Sequence, residues 1–177
     1  MVTWMLVGVA SAATDVVVDV VPGRLNHGSV SGVVDSPISE VLGKVMDCEG
    51  TSGWFPDLYD TRLVSADADG YRCSGSTDLP WPLADRAWSI DVEREHLDDG
   101  SWRVSFSYVP GSGNLAEMRG AYVLRAAGTG TRVEYVADID LGFWVPQALI
   151  DWATRQILPG ILDGLERGSP RLVAEVR

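Results

Sequence analysis

Leu79-Pro80-Trp81-Pro82-Leu83-Ala84-Asp85-Arg86 lies near the middle of the 177-residue chain. Pro80 and Pro82 have no amide donor, so this stretch cannot be the interior of a central strand. The residue before each proline is pushed toward extended geometry. The stretch therefore reads as a stiff kink that carries Trp81 between two rings. Asp85-Arg86 then runs straight into the apolar alternation Trp88, Ile90, Val92. Arg86 shares their parity, which predicts that it points to the face they bury. A guanidinium on an apolar face must be paired or must meet a polar group inside a cavity. A structural ion pair at a sheet edge and a ligand-facing role both satisfy that demand, and they are compatible.

Outward from the kink, the pattern is strands. Alternation and turn chemistry predict strands over about 59–66, 71–79, 86–96, 102–109, 116–126 and 131–141. The breaks are Asp69-Gly70, Asp99-Gly100, Pro110-Gly111-Ser112-Gly113-Asn114 and Gly128-Thr129-Gly130. No helix follows any of these glycine-rich breaks, so they read as turns and not as phosphate loops. Breaks this short between successive strands imply an antiparallel meander. Trp102, Val104, Phe106 and Tyr108 share one face, as do Met118, Tyr122 and Leu124, and as do Val133, Tyr135, Ala137, Ile139 and Leu141. The opposite faces carry Arg103, Arg119, Arg125, Glu134, Asp138 and Asp140, so one face is wet and the other covered.

Before the meander, Val16–Val21 and about 28–35 read as two strands around Pro22-Gly23. Ser36 then suits an N-cap and Pro37 the first helical position. Ile38, Val41, Leu42, Val45 and Met46 form one apolar stripe. Trp54-Phe55-Pro56 reads as a turn that plugs one end of the core. At the other end of the chain, Pro146 suits a helix start. Leu149, Trp152, Ala153, Gln156, Ile157, Gly160, Ile161 and Gly164 recur at helical spacing, widened by Ile150, Leu158 and Leu162. Pro159 should kink this helix. The order is two strands, helix, six strands, long helix. The natural closure is an α+β fold in which a curved antiparallel sheet wraps the terminal helix.

Composition narrows the partners. Hydrophobic residues make up 46% and the formal net charge is −11, which argues for a globular domain and against nucleic acid or an anionic membrane surface. Lys44 is the only lysine, and no basic cluster occurs. The seven tryptophans are many for this length and suit a core or a lined pocket. Two cysteines and two histidines at scattered spacings match no metal site, and no cofactor motif is present. Cys48 and Cys73 read either as a disulfide in an exported chain or as two buried thiols. Residues 1–13 hold a short apolar run ending in the A-x-A pattern Ala10-Ser11-Ala12, without a positive n-region. This reads as a candidate signal peptide before a single domain over 14–177. It implies a periplasmic or extracellular protein if cleaved and a cytoplasmic one otherwise. The run is too short to span a bilayer, so no stable membrane anchor is expected.

The element order, together with Pro80-Trp81-Pro82 and Asp85-Arg86, resembles the START lipid-transfer domain and its polyketide-cyclase (SRPBCC) relatives. Asp47, Trp54 with Pro56, Gly120-Ala121-Tyr122, Gly128 to Arg132, Pro146 and Ile157-Leu158-Pro159 are similar to the family pattern over about residues 30–172. The loop Leu141-Gly142-Phe143-Trp144-Val145-Pro146 departs from it, because the family carries a glycine pair there. The resemblance implies a helix-grip fold with a pocket between sheet and terminal helix. It also implies a lipid, sterol or other apolar small molecule as partner, and carriers or sensors more often than cyclases or aromatases. On this reading Arg86 orients the ligand's polar end. Trp88, Phe106, Tyr108, Met118, Tyr122, Tyr135, Leu149, Trp152 and Ile157 line the cavity, and Phe143 and Trp144 guard its mouth.

Catalytic chemistry is sparse. His27 reads as part of a turn between the early strands, and His96 as a solvated hairpin end with acidic neighbours. Neither has a nucleophile partner in sequence. Non-catalytic carriage or sensing is therefore the first reading. An enzyme of the cyclase or aromatase kind, using Arg86 with Tyr122 or Tyr135, is the alternative, and a closed domain used for protein contacts is a third.

Overall fold

The computed structural model describes residues 26–79, 81 and 83–167, together with the backbone of 15–19. The candidate leader, Pro80 and Pro82 lie outside the described residues. The strands are β1 (Asp15–Asp19), β2 (Asn26–Val34), β3 (Leu58–Ala66), β4 (Gly70–Thr77), β5 (Arg86–His96), β6 (Trp102–Tyr108), β7 (Glu117–Ala127) and β8 (Gly130–Asp140). They form one eight-stranded sheet in the order β1-β2-β8-β7-β6-β5-β4-β3, with every pairing antiparallel. Helix α1 (Ile38–Val45) follows β2, and α2 (Gln147–Arg167) closes the described chain. This is the START-like helix-grip fold: a curved antiparallel sheet holding a long C-terminal helix.

The meander from β3 to β8 follows from its turns, which are too short for anything but antiparallel neighbours. The one long crossover places β2 beside β8, in register from Asn26 against Ile139 to Val34 against Thr131. Along β8, Thr131, Val133, Tyr135 and Ala137 are buried while Arg132 is exposed, which is the alternation of a one-sided sheet.

Two local expectations are corrected. Ser36 is not the helix cap. It is buried and its carbonyl accepts a hydrogen bond from Thr131 Oγ1 at 2.8 Å. Pro37 caps α1 instead, with extended backbone (φ −64°, ψ 150°), and its carbonyl receives the amides of Glu40 and Val41. The fixed proline φ suits an extended residue as well as a helical one, so the first helical position moves on by one. His27 does not lie in a turn. It belongs to β2 and faces Asp138 of β8, with Nδ1 2.7 Å from Asp138 Oδ1. Of the two readings left open for Cys48 and Cys73, the disulfide is the one observed, and it ties the end of the α1 region to β4.

The face of α2 that meets the sheet is rotated from the expected stripe. Leu158, Ile161, Leu162 and Leu165 are buried, whereas Gln156 is exposed and Trp152 is 50% exposed. The reason lies in how the helix is held. On one side Gly28 of β2 lets Thr154 and Leu158 come close, so that a Cβ there would sit 3.0 Å from Thr154 Cγ2. On the other side Gly160 and Gly164 accept the segment Trp54–Pro56, and a Cβ on Gly160 would lie 2.7 Å from Pro56 Cγ. These two contacts set the rotation, and the small residues decide it more than the large ones do.

Candidate functional site

Sheet and helix do not meet completely. Between them lies a cavity of about 240 Å³. That exceeds the ~150 Å³ of an engineered apolar cavity able to hold benzene. Trp88, Ile90 and Val92 of β5, Val104 and Phe106 of β6, Met118 and Tyr122 of β7, and Tyr135, Ala137 and Ile139 of β8 form the sheet wall. Ile150, Ala153, Thr154, Ile157, Leu158 and Ile161 form the helix wall. Trp54, Phe55 and Pro56 contribute on the α1 side, and Leu58, Leu79, Leu83 and Leu141 add apolar surface. No aspartate, glutamate, lysine or arginine is among these residues.

An aromatic cluster occupies the middle. Tyr122 and Tyr135 are direct register partners on β7 and β8, with ring centroids 4.8 Å apart. Phe106 stacks on Tyr135 with an interplanar angle of 18° at 6.0 Å. It also lies over Gly120, where a Cβ would come within 2.9 Å of its ring. Trp54 meets Tyr122 edge-on, and Phe55 meets Tyr135 in the same way. Such edge contacts suit the ring quadrupoles and hold the rings in place.

Most polar lining groups are satisfied by the protein. Tyr71 donates its hydroxyl to Val45 O at 3.1 Å, and Trp88 Nε1 donates to Thr77 Oγ1 at 2.9 Å. Thr51 Oγ1 donates to Asp47 O, and Asn26 Nδ2 donates to Ile139 O. Burial pushes the Tyr71 phenol up to about 12, helped by the charge of Asp47. Burial likewise raises Tyr135 and Tyr122, with Tyr135 and Tyr71 adding to the effect on Tyr122. All three phenols are therefore neutral donors at physiological pH.

The residues expected at the site divide. Trp88, Phe106, Met118, Tyr122, Tyr135 and Ile157 line the cavity. Tyr108, Leu149 and Trp152 do not, and neither do Phe143 and Trp144, which are 44% and 83% exposed. Tyr108 turns instead to the β6–β7 loop, where its hydroxyl accepts the Gly113 amide at 3.1 Å. Leu149 and Trp152 leave the lining because α2 is rotated.

Arg86 is buried, as its parity requires, but it is not in the lining. Of the two readings for Arg86, the ion pair is not found: among the described residues no carboxylate reaches its guanidinium. Asp85 accepts the Tyr59 hydroxyl instead, at 2.6 Å. Arg86 Nη1 donates to the Asp85 carbonyl at 3.1 Å, the Phe143 ring lies 4.5 Å over Cζ, and Nε has no partner among the described residues. Arg86 is thus the base on which the loop before α2 rests.

Sequence reasoning missed the wall supplied by Trp54, Phe55 and Pro56 as cavity lining, although it read them as a plug. It also missed His27, which borders the cavity. Its partner Asp138 lies 111 residues away in sequence, so only the β2–β8 pairing brings the two together.

The geometry defines a class, the START-like helix-grip domains with an internal apolar cavity. Comparison with protein families and with curated proteins by sequence gives no match. Solved structures do match. The STAR-related lipid transfer protein of Xanthomonas axonopodis is 21% identical with a TM-score of 0.77, over 88% of this chain and 96% of that one. Human StAR-related lipid transfer protein 5 is 15% identical with a TM-score of 0.69, over 89% and 81%. The Zhui aromatase/cyclase of a Streptomyces species is 12% identical with a TM-score of 0.64, over 81% and 94%.

Proposed function

We propose that this protein binds an apolar small molecule, a lipid, sterol or similar compound, in the cavity between sheet and α2, and carries or senses it without chemical change. The observation that carries this reading is the lining: a preformed space of about 240 Å³ with, among the described residues, no acidic or basic side chain other than His27 at its border. Burial of apolar ligand surface in such a space contributes roughly 25 cal/mol per Å². Trp88, Phe106, Met118, Tyr122, Tyr135 and Ile157 act as ligand contacts on this reading. Arg86 acts indirectly, by seating Phe143. The similarity in fold to lipid transfer proteins supports it. The Cys48–Cys73 disulfide supports an exported location.

A second reading, an enzyme of the aromatase/cyclase kind, draws on one observation: His27 borders the cavity and its ring is held by Asp138. A histidine oriented by a carboxylate is the form a general base takes. Strand parity weighs against it. Gly28 is buried toward the helix, so the His27 ring lies with Asp138 and Arg119 on the outer face of the sheet.

Native mass spectrometry of the purified protein, followed by solvent extraction, tests the first reading. The expected result is either a co-purified neutral apolar molecule or saturable uptake of an added one such as tetralin. Ala153→Trp should abolish either by filling the space. A folded protein that carries nothing and takes up no tetralin would refute the proposal.

A further inference from the structure

Besides the indoles of Trp54 and Trp88, eight of the described residues lining the cavity have polar side chains, and a hydrogen-bond accounting separates them. Asn26, His27, Thr51, Tyr71 and Thr77 each have a protein partner. Tyr122, Tyr135 and Thr154 have none among the described residues. Thr154 is half-buried on α2, but both tyrosines are 7% exposed. Neither phenol oxygen is among the sealed unpartnered atoms, which are Trp54 Nε1 and Arg86 Nε. Each hydroxyl therefore keeps accessible surface, and the surface next to it is the cavity.

Two unpartnered phenols side by side stand out in a wall that is otherwise mainly apolar, where the remaining polar groups are partnered apart from Thr154 and the sealed Trp54 Nε1. An unmade hydrogen bond at a buried hydroxyl costs stability, so phenylalanine would suit an empty greasy space better. The register places the pair deliberately: Tyr122 and Tyr135 face each other across β7 and β8, braced by Phe106, Trp54 and Phe55. Their aim is fixed before anything binds, and preorganised donors lose little on binding.

We infer that Tyr122 and Tyr135 form a paired hydrogen-bonding site for a neutral oxygen, a ketone or hydroxyl, on an otherwise hydrocarbon ligand. This rests on the proposed ligand-binding role and narrows its substrate class. A ligand that bears a carboxylate or phosphate at this end is disfavoured, because among the described residues no lysine or arginine lines the cavity to compensate a buried charge. A bare hydrocarbon binds, but leaves both hydroxyls unpartnered. The site thus discriminates by polarity within one molecular shape, where a hydrogen-bonding site rejects the analogue lacking its partner group more strongly than an apolar wall rejects a small change in size.

The test uses the full chain and three probes on one skeleton: tetralin, α-tetralone and tetralin carboxylate. Calorimetry or ligand-detected NMR gives affinities for the wild type, Tyr122→Phe, Tyr135→Phe and the double variant. Thermal melts of the unliganded variants run alongside. The expected result is an about tenfold loss of α-tetralone affinity in the double variant, equivalent to about 1.4 kcal/mol, with tetralin unchanged. The carboxylate should bind most weakly to the wild type, and the unliganded variants should melt no lower than wild type. If tetralin binds but α-tetralone responds to the substitutions no more than tetralin does, the pair serves only water and this inference fails alone. If the wild type takes up neither tetralin nor α-tetralone, the ligand-binding role fails with it. Tightest binding of the carboxylate would overturn the neutral class.

Discussion

Two helix glycines make opposite predictions from the same substitution. Gly43, in α1, is exposed, and a Cβ placed on it meets nothing within 4 Å. Gly43→Ala should therefore deliver only the helix-propensity gain, about 0.8–1.0 kcal/mol. Gly164, in α2, is buried against Trp54. A Cβ there would overlap the Trp54 carbonyl oxygen and sit 2.8 Å from its carbon. Carbon–carbon contacts are comfortable at about 3.5–4.0 Å, so α2 must retreat by roughly 0.7 Å or more. Both sides of this contact are main chain, so no side chain can swing away. Overpacking of this kind costs about 1–3 kcal/mol. Taking the upper end and subtracting the propensity gain leaves a net loss of about 2 kcal/mol. Thermal unfolding followed by near-ultraviolet circular dichroism reads both changes. For a chain of this size 1 kcal/mol moves Tm by roughly 2–4 °C. Gly43→Ala should rise by about that much, and Gly164→Ala should fall by about 4–8 °C. A Gly164→Ala protein at least as stable as wild type would show that α2 does not rest on the Trp54 main chain, and the account of how the helix is gripped would be wrong.

Removing the disulfide by replacing Cys48 and Cys73 with serine frees a closure whose ends are 25 residues apart in sequence. Chain entropy predicts a loss of about 3.5 kcal/mol, measurable as a shift in the urea midpoint. Asp138 offers a pH test: burial alone would raise it, but hydrogen bonds from His27 and Arg119 outweigh that and hold it below the usual carboxylate range. A depressed acid stabilises the fold above its unfolded value, near 3.9, and loses that contribution as pH falls through the folded value. Asp138→Asn should cost of order 1 kcal/mol at pH 7, given its partial exposure, and the gap from wild type should close in strong acid. Ultraviolet titration should find Tyr71, Tyr122 and Tyr135 silent at pH 11, where an unperturbed tyrosine has ionised. Unfolding the chain at that pH should release their phenolate absorbance all at once. Early titration of Tyr122 and Tyr135 would contradict their burial. Phe143→Ala removes the ring over Arg86 and should lower stability by about 0.5–2 kcal/mol, as read by denaturant unfolding.

Strand content was legible because its signals are local. Alternation in β6, β7 and β8 put Phe106, Tyr122 and Tyr135 on the covered face, and the strand expected over about 86–96 is β5 (Arg86–His96). The helix face was less legible. Leu149 and Trp152 fit an apolar stripe as well as Leu158 and Leu165 do, and periodicity alone does not say which edge of a broad stripe meets the sheet. Gly28, Gly160 and Gly164 settle that, through contacts between elements far apart in sequence. Loops are harder still: Phe143 and Trp144 have no period to read. Arg86 shows the limit from another side. Its burial followed from parity, but its partner is a ring from the loop before α2 and not a carboxylate.

The segment from Cys48 to Pro56 is anchored three times: by the bond to Cys73, by Trp54 on Gly164 and by Pro56 on Gly160. The loop before α2 is held by non-covalent contacts alone: the Phe143 ring over the Arg86 guanidinium, the Gly142 amide on Asp140 Oδ1 and the buried Val145. The vessel therefore has a welded base and a latched top. On the proposed binding role, exchange of a ligand would take the latched end, where no covalent tie has to be broken.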